Sequence, residues 1–328
     1  MTDSHAPLPD ARAGNWVDRF APPSLRPYFR LMRLDRPIGW WLLLFPAWWS
    51  LALATDALDL PYPPPRLAIL FMIGAIVMRG AGCVYNDILD RDIDARVERT
   101  RGRPLPAGEV TVGEAIGLVG VLLFVGLMIL IQFNPTAILV GLSSIAIVAA
   151  YPLMKRITNL PQLVLGVAFA WGALVGWSAL TGAIHTPAVY LYAGAVLWTI
   201  GYDTIYAMQD REDDALIGIG STARLFAGNE RLALILLYSG AVLLFGQSLY
   251  LTLGIVPGRW PAYLGLAIVA AMLGRQIVLL DPADPARSLS LFKSNQWVGW
   301  AMLVGLLADA YFSGRPPSNG GFGIAFVY

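Results

Sequence analysis

The sequence predicts an all-α, polytopic membrane bundle of about nine transmembrane helices, and three observations predict it. Hydrophobic residues make up 57% of the chain and charged residues 14%, whereas a soluble domain carries about a quarter charged residues. The apolar residues gather into long runs, such as 114–131 and 136–150. Basic residues also sort to alternate connections between those runs. At about 20 residues per crossing, the candidate spans are 39–55, 66–85, 112–131, 135–151, 161–180, 187–207, 231–253, 260–279 and 294–312.

In chain order, residues 1–38 form an N-terminal segment with no apolar signal-peptide core, and Asp3, Asp10 and Asp18 speak against a mitochondrial transit peptide. Residues 25–36, LRPYFRLMRLDR, mix apolar side chains with four arginines, a composition suited to a short helix in the headgroup region or to a plain basic leader. Trp40, Trp41, Trp48 and Trp49 bracket the first span, as interfacial anchors do. Residues 39–312 are the transmembrane domain, and 313–328 read as a loose Gly/Pro-rich tail. Arg12, Arg19, Arg26, Arg30, Arg33 and Arg36 precede span 1, and Arg91, Arg96, Arg99, Arg101 and Arg103 follow span 2. Lys155 and Arg156 follow span 4, and Arg211, Arg224 and Arg231 lie between spans 6 and 7. The intervening connections, TDALDLPYPPP, QFNP, TGAIHTP and VPGRWP, are nearly free of positive charge. The positive-inside rule then places the N-terminus on the cytoplasmic side, as in a bacterial inner membrane.

Several functions are disfavoured. A net charge of +1 with no basic, aromatic-interleaved tract gives no footprint for nucleic acid. Cys83 is the single cysteine, so no intrachain disulfide forms, and it reads as a small apolar helix residue. Two histidines and one cysteine do not supply a zinc or haem site. No phosphate loop or nucleophile elbow is present. No segment calls for an obligate protein partner.

The chemistry lies in two acidic segments. After span 2 the chain reads NDILDRDIDARVERTRGRPLPAG; Asp87, Asp90 and Asp94 are spaced i, i+3, i+7, on one helical face within about 60°. Asn86 adjoins that face and Asp92 points away. After span 6 the chain reads GYDTIYAMQDREDDALIGIGSTA, where Asp203, Tyr206, Asp210 and Asp214 form a second such face. Asp210 follows Asp90 by 120 residues and Asp214 follows Asp94 by the same interval, which suggests an internal repeat of four helices. An EF-hand is excluded, because Ala95 replaces its glycine and Arg101 its final glutamate.

An aspartate at bilayer depth costs about 2.5–3.5 kcal/mol, and two acidic faces on one cavity add repulsion. Divalent cations remove both problems. Mg²⁺ takes one or two carboxylates plus waters and phosphate oxygens, so two such faces suit a metal-held diphosphate. Arg96, Arg99, Arg103 and Lys155 are placed to add phosphate contacts. The rival reading is a cation-coupled transporter with intramembrane carboxylates.

The first segment resembles the NDxxDxxxD signature of the UbiA superfamily of intramembrane prenyltransferases, through Asn86, Asp87, Asp90 and Asp94. The second resembles that family's second aspartate motif. LMRLDRPIGWWLLLFPAWWSLALA, RTRGRPLPAG, YPLMKRITNLPQLVLG and FKSNQWVG extend the likeness over roughly residues 28–312. It implies a nine-helix bundle, with membrane lipid around it, that transfers a polyprenyl group from polyprenyl diphosphate to an aromatic acceptor. The likeness is strongest to the branch acting on 4-hydroxybenzoate in ubiquinone synthesis; haem, homogentisate and naphthoate are the alternative acceptors. By the same resemblance, Asp87, Asp90, Asp94, Asp210 and Asp214 hold Mg²⁺, with Asn86 in support. Arg156 holds the acceptor carboxylate, and Asp203 or Asp210 serves the phenol, with Tyr206 adjoining. Phe169, Trp171 and Trp177 offer π faces to a developing cation or simply pack. One departure stands out: the family commonly carries lysine in a GIKS segment where this chain has Gly220.

Overall fold

The computed structural model describes residues 14–97, 100–154, 157–211 and 220–312, the Asp210 side chain excepted. The described residues are helical, with no strand among them. Two short helices, α1 (Trp16–Phe20) and α2 (Arg26–Leu31), precede α3 (Ile38–Ala57), α4 (Pro65–Asp94), α5 (Val112–Leu130) and α6 (Pro135–Met154). Then come α7 (Pro161–Ala170), α8 (Gly172–Thr181), α9 (Thr186–Ala207), α10 (Thr222–Leu225), α11 (Glu230–Leu253), α12 (Trp260–Leu279) and α13 (Pro285–Phe312).

Among the described residues, seven helical segments are long and apolar enough to cross a membrane: α3, α4, α5, α6, the α7–α8 pair, α11 and the stretch Pro257–Leu279. Only 17% of the apolar window of α5, and the same share of α6, is buried by the protein. Their remaining faces need lipid, and the chain is an integral membrane protein. α9 and α13 are 22 and 28 residues long but less apolar.

The chain divides into two compact units, 1–41 with 72–132 and 42–71 with 133–328. In the first, Leu31, Val84, Leu105, Val110 and Ala115 form a buried cluster, flanked by Tyr28, Met32, Ile88 and Leu118. That cluster gathers α2, the far end of α4, the 95–111 connection and the start of α5. A capping box opens α5: the Glu114 amide donates to Thr111 Oγ1 at 3.3 Å, and the Thr111 amide donates to Glu114 Oε2 at 2.8 Å. α4 runs nine residues past its expected span, to Asp94. At 1.5 Å per residue its 30 residues extend about 45 Å, against about 30 Å of hydrocarbon. About ten residues therefore pass beyond the apolar layer, and these carry the first acidic cluster.

In the second unit, α9 is largely buried and packs against α7, α11 and α13. α12 and α13 cross where Gly265 meets Gly305, so close that a Cβ on either would sit 2.8 Å from the other's Cα. Small residues at such crossings are what let membrane helices approach. Buried side chains tie the layers together: Trp49 Nε1 donates to the Gly299 carbonyl at 3.0 Å, and Trp198 Nε1 to Asn295 Oδ1 at 2.8 Å. The expected single span 161–180 is interrupted at Trp171. Gly172 and Gly176 lie against Ala47 of α3, with no room for a Cβ at Gly176. Trp171 Nε1 meanwhile donates to the Val140 carbonyl at 2.8 Å.

Candidate active site

The first acidic cluster sits on the last turns of α4. Asp87 and Asp90 are 1% exposed and Asp94 is 7% exposed, while the Asp92 side chain is 79% exposed, as its position off that face predicts. Arg33 Nη2 grips both Asp87 oxygens, at 2.7 and 2.8 Å. Arg103 Nη1 bridges Asp87 Oδ1 at 3.2 Å and Asp94 Oδ2 at 2.7 Å. Burial is the largest single influence on the Arg33 guanidinium and by itself lowers it, but the charges of Asp87, Cys83 and Asp35 and the hydrogen bond to Asp87 together outweigh it, so the net shift is upward. Removing one partner of a buried pair costs about 3–5 kcal/mol. The Asn86 amide is half-buried and makes no hydrogen bond among the described residues.

The second cluster lies at the end of α9. The sequence spacing expected one continuous helical face from Asp203 to Asp214, but α9 ends at Ala207 and tightens to a 3₁₀ turn over Met208–Asp210. Each 3₁₀ residue turns about 120°, not about 100°. Thr204, beside Asp203, shares a 2.7 Å hydrogen bond with Thr222, whose amide donates to Gln162 Oε1 at 3.0 Å. This bolts the end of α9 to α7 and to the returning chain. The Tyr206 ring packs on Phe292 of α13, with centroids 4.6 Å apart.

Asp214, Arg99, Lys155 and Arg156 lie outside the described residues. Arg96 is exposed and makes no side-chain contact with the aspartates among the described residues. Trp171 and Trp177 serve packing: Trp171 lies edge-on to Tyr192, with centroids 5.6 Å apart, and Trp177 Nε1 donates to His185 Nδ1 at 2.8 Å. His185 is thus an acceptor. Gly220 is buried against the 158–159 backbone, and a Cβ there would strike the Thr158 carbonyl oxygen. The chain cannot carry a lysine at that position with the 158–159 turn where it stands.

Two functional candidates were missed by sequence reasoning. Arg33 was read only as part of the 25–36 segment, a short headgroup-region helix or a plain basic leader, and no local signal links it to Asp87, 54 residues later. Arg79 lies inside the apolar stretch of α4, eleven residues before Asp90 and so within about 20° of its face. Its guanidinium lies over Gly39, where a Cβ would come within 2.6 Å of Nε. A charge amid an apolar span was the legible sign.

Among the described residues, no three Asp, Glu, His or Cys side chains close into a metal cage. Buried Asp90 and Asp94 beside an open Asn86 amide are nevertheless hard oxygen donors, and these suit Mg²⁺, which uses few protein ligands and fills its shell with water and phosphate.

These features define a membrane-embedded helical protein with carboxylates and arginines gathered at helix ends. The chain belongs to the UbiA prenyltransferase family, which it matches over residues 43–304. It is 46% identical over 289 residues to the mitochondrial 4-hydroxybenzoate polyprenyltransferase of Aedes aegypti, covering 88% of this chain and 64% of that protein. It is 45% identical to the Caenorhabditis elegans protein of the same name, covering 88% of this chain and 80% of that one. Among solved structures, the apo UbiA homologue of Aeropyrum pernix K1 is 27% identical, with a TM-score of 0.68, over 81% of this chain and 97% of that one. A UbiA homologue of Archaeoglobus fulgidus bound to DMAPP and Mg²⁺ is 18% identical, with a TM-score of 0.62, over 87% and 98% of the two chains. At that identity the likeness is one of fold.

Proposed function

We propose that this chain transfers a polyprenyl group from polyprenyl diphosphate to 4-hydroxybenzoate, at the ring carbon ortho to the hydroxyl, with Mg²⁺, in ubiquinone biosynthesis. The observation that carries this reading is the 46% identity, over 88% of the chain, to a protein named for that transfer. The buried carboxylates on α4 support it.

Asp90 and Asp94, with Asn86, would hold Mg²⁺ in the first acidic segment, and Asp210 and Asp214 in the second. When bound, Mg²⁺ supplies positive charge to the leaving diphosphate oxygens. Arg103 has Nε and Nη2 open to a phosphate oxygen, since among the described residues only its Nη1 is engaged. Asp203 accepts the phenol proton or holds the hydroxyl, and Tyr206 borders the ring. Arg79, a cation on the face of Asp90 and about 16 Å deeper along α4, joins Arg156 as a partner for the acceptor carboxylate. Apolar helices exclude the water that would divert the allylic group to an alcohol. α9 and α13 complete nine crossings arranged as two four-helix repeats plus one, with the N-terminus and both acidic segments on the cytoplasmic side of a bacterial inner membrane.

The test is incubation of membranes with 4-hydroxybenzoate, a polyprenyl diphosphate and Mg²⁺. Prenylated 4-hydroxybenzoate, lost on adding chelator, is the expected result. Labelled substrate crossing sealed vesicles with no new bond would establish a transporter instead.

A further inference from the structure

Asp87 differs from its neighbours on α4. Its carboxylate is 1% exposed, and both oxygens accept from Arg33 while Oδ1 also accepts from Arg103. Arg33 is itself fixed: its Nη1 donates to the carbonyls of Arg30 and Leu31, at 3.0 and 3.3 Å, closing the end of α2. It does so from a left-handed backbone, with φ of 58°, a conformation that a residue with a Cβ rarely holds unless its surroundings impose it. Arg103, by contrast, is held among the described residues by one nitrogen only, between Asp87 and Asp94. A cation arriving at Asp87 would have to sit against two guanidinium groups.

We propose that Asp87 is a positioning residue, not a metal ligand: locked by Arg33, it aims the open side of Arg103 at the diphosphate. This rests on the prenyl-transfer reading above and adds a division of labour to it. Asp90 and Asp94 serve the metal, and Asp87 serves the arginine. A planar fork is required on the Arg33 side, since only a guanidinium can cap two carbonyls with one nitrogen while spanning a carboxylate with another.

The full-length protein in detergent tests this with four variants: Asp87→Asn, Asp90→Asn, Arg103→Gln and Arg33→Gly. Arg103→Gln leaves the buried Arg33–Asp87 pair in place; Arg33→Gly leaves Asp87 its Arg103 contact at 3.2 Å, and glycine suits the φ at position 33; a melting curve for each variant separates loss of fold from loss of binding. Mn²⁺ binding is read by electron paramagnetic resonance with and without inorganic pyrophosphate. KM values are measured for each substrate, with the half-saturating Mg²⁺ concentration. Loss of one charge-assisted contact is about tenfold. Asp87→Asn, Arg33→Gly and Arg103→Gln should therefore each raise KM for prenyl diphosphate by about tenfold. Mn²⁺ binding, half-saturating Mg²⁺ and acceptor KM should stay within about twofold in these three. The Asp87→Asn/Arg103→Gln double variant should be no worse than Arg103→Gln alone, because both act through one contact. Asp90→Asn should lose Mn²⁺. Loss of Mn²⁺ in Asp87→Asn to the extent seen in Asp90→Asn would overturn the proposal, as would additive effects in the double variant. An unaltered protein that binds no Mn²⁺ and makes no product would instead sink the prenyl-transfer reading beneath it.

Discussion

The sharpest structural prediction concerns the polar contact at the heart of the second unit. Trp198 and Asn295 are both fully buried and joined by a 2.8 Å hydrogen bond from Nε1 to Oδ1. Asn295 also donates to the carbonyls of Leu291 and Phe292, each at 3.2 Å, and reaches Gln276 Oε1 at 3.5 Å. Gln276 in turn accepts from Tyr238 at 2.9 Å and donates to Ser294 at 2.9 Å. The network thus joins α9, α11, α12 and α13. Asn295→Leu keeps the volume but orphans the indole N–H, at about 1–3 kcal/mol. Trp198→Phe keeps an aromatic ring between Trp49 and Tyr202 and orphans the Asn295 oxygen, at a similar cost. The double variant leaves neither group stranded, so it should be less destabilised than the sum by about 0.6–1.7 kcal/mol, the range for interhelical hydrogen bonds in membranes. Reversible unfolding in mixed SDS micelles, followed by far-ultraviolet circular dichroism, measures all four proteins. Additivity within about 0.3 kcal/mol would refute the argument.

Two further outcomes follow from single positions. Gly220→Lys, which restores the residue common in the family, should lower thermal stability by about 1–3 kcal/mol through overpacking against the Thr158 carbonyl; gained stability in a melting assay would show that the 158–159 turn yields freely. Arg79→Met should raise acceptor KM by about tenfold or more and leave prenyl diphosphate KM nearly unchanged, whereas an unchanged acceptor KM would remove Arg79 from that role.

Much of this architecture is legible in the residues. Long apolar runs announce the membrane helices because lipid-facing side chains have no alternative environment, and α3, α5 and α6 begin within a residue of the expected spans. The acidic face of α4 is legible too, since Asp87, Asp90 and Asp94 keep helical spacing in a helix that does continue to Asp94. What the sequence hides depends on distant neighbours. The break at Trp171 comes with Ala47 pressing on Gly172 and Gly176. The 3₁₀ turn at Met208–Asp210 is a local tightening that spacing alone does not foretell. Three aspartates on one face look equivalent in the sequence; only the fold shows that one of them is claimed by Arg33 and Arg103.

The central proposal is that the acids of α4 and those of the segment after α9 are both needed for pyrophosphate-dependent metal binding. It is tested most directly by counting Mn²⁺ bound per chain with inorganic pyrophosphate, in the unaltered protein and in Asp90→Asn and Asp214→Asn. Pyrophosphate-dependent Mn²⁺ binding that falls sharply in both variants is the predicted result. Full binding in either variant would mean that the acidic segment it alters is not needed to hold the metal.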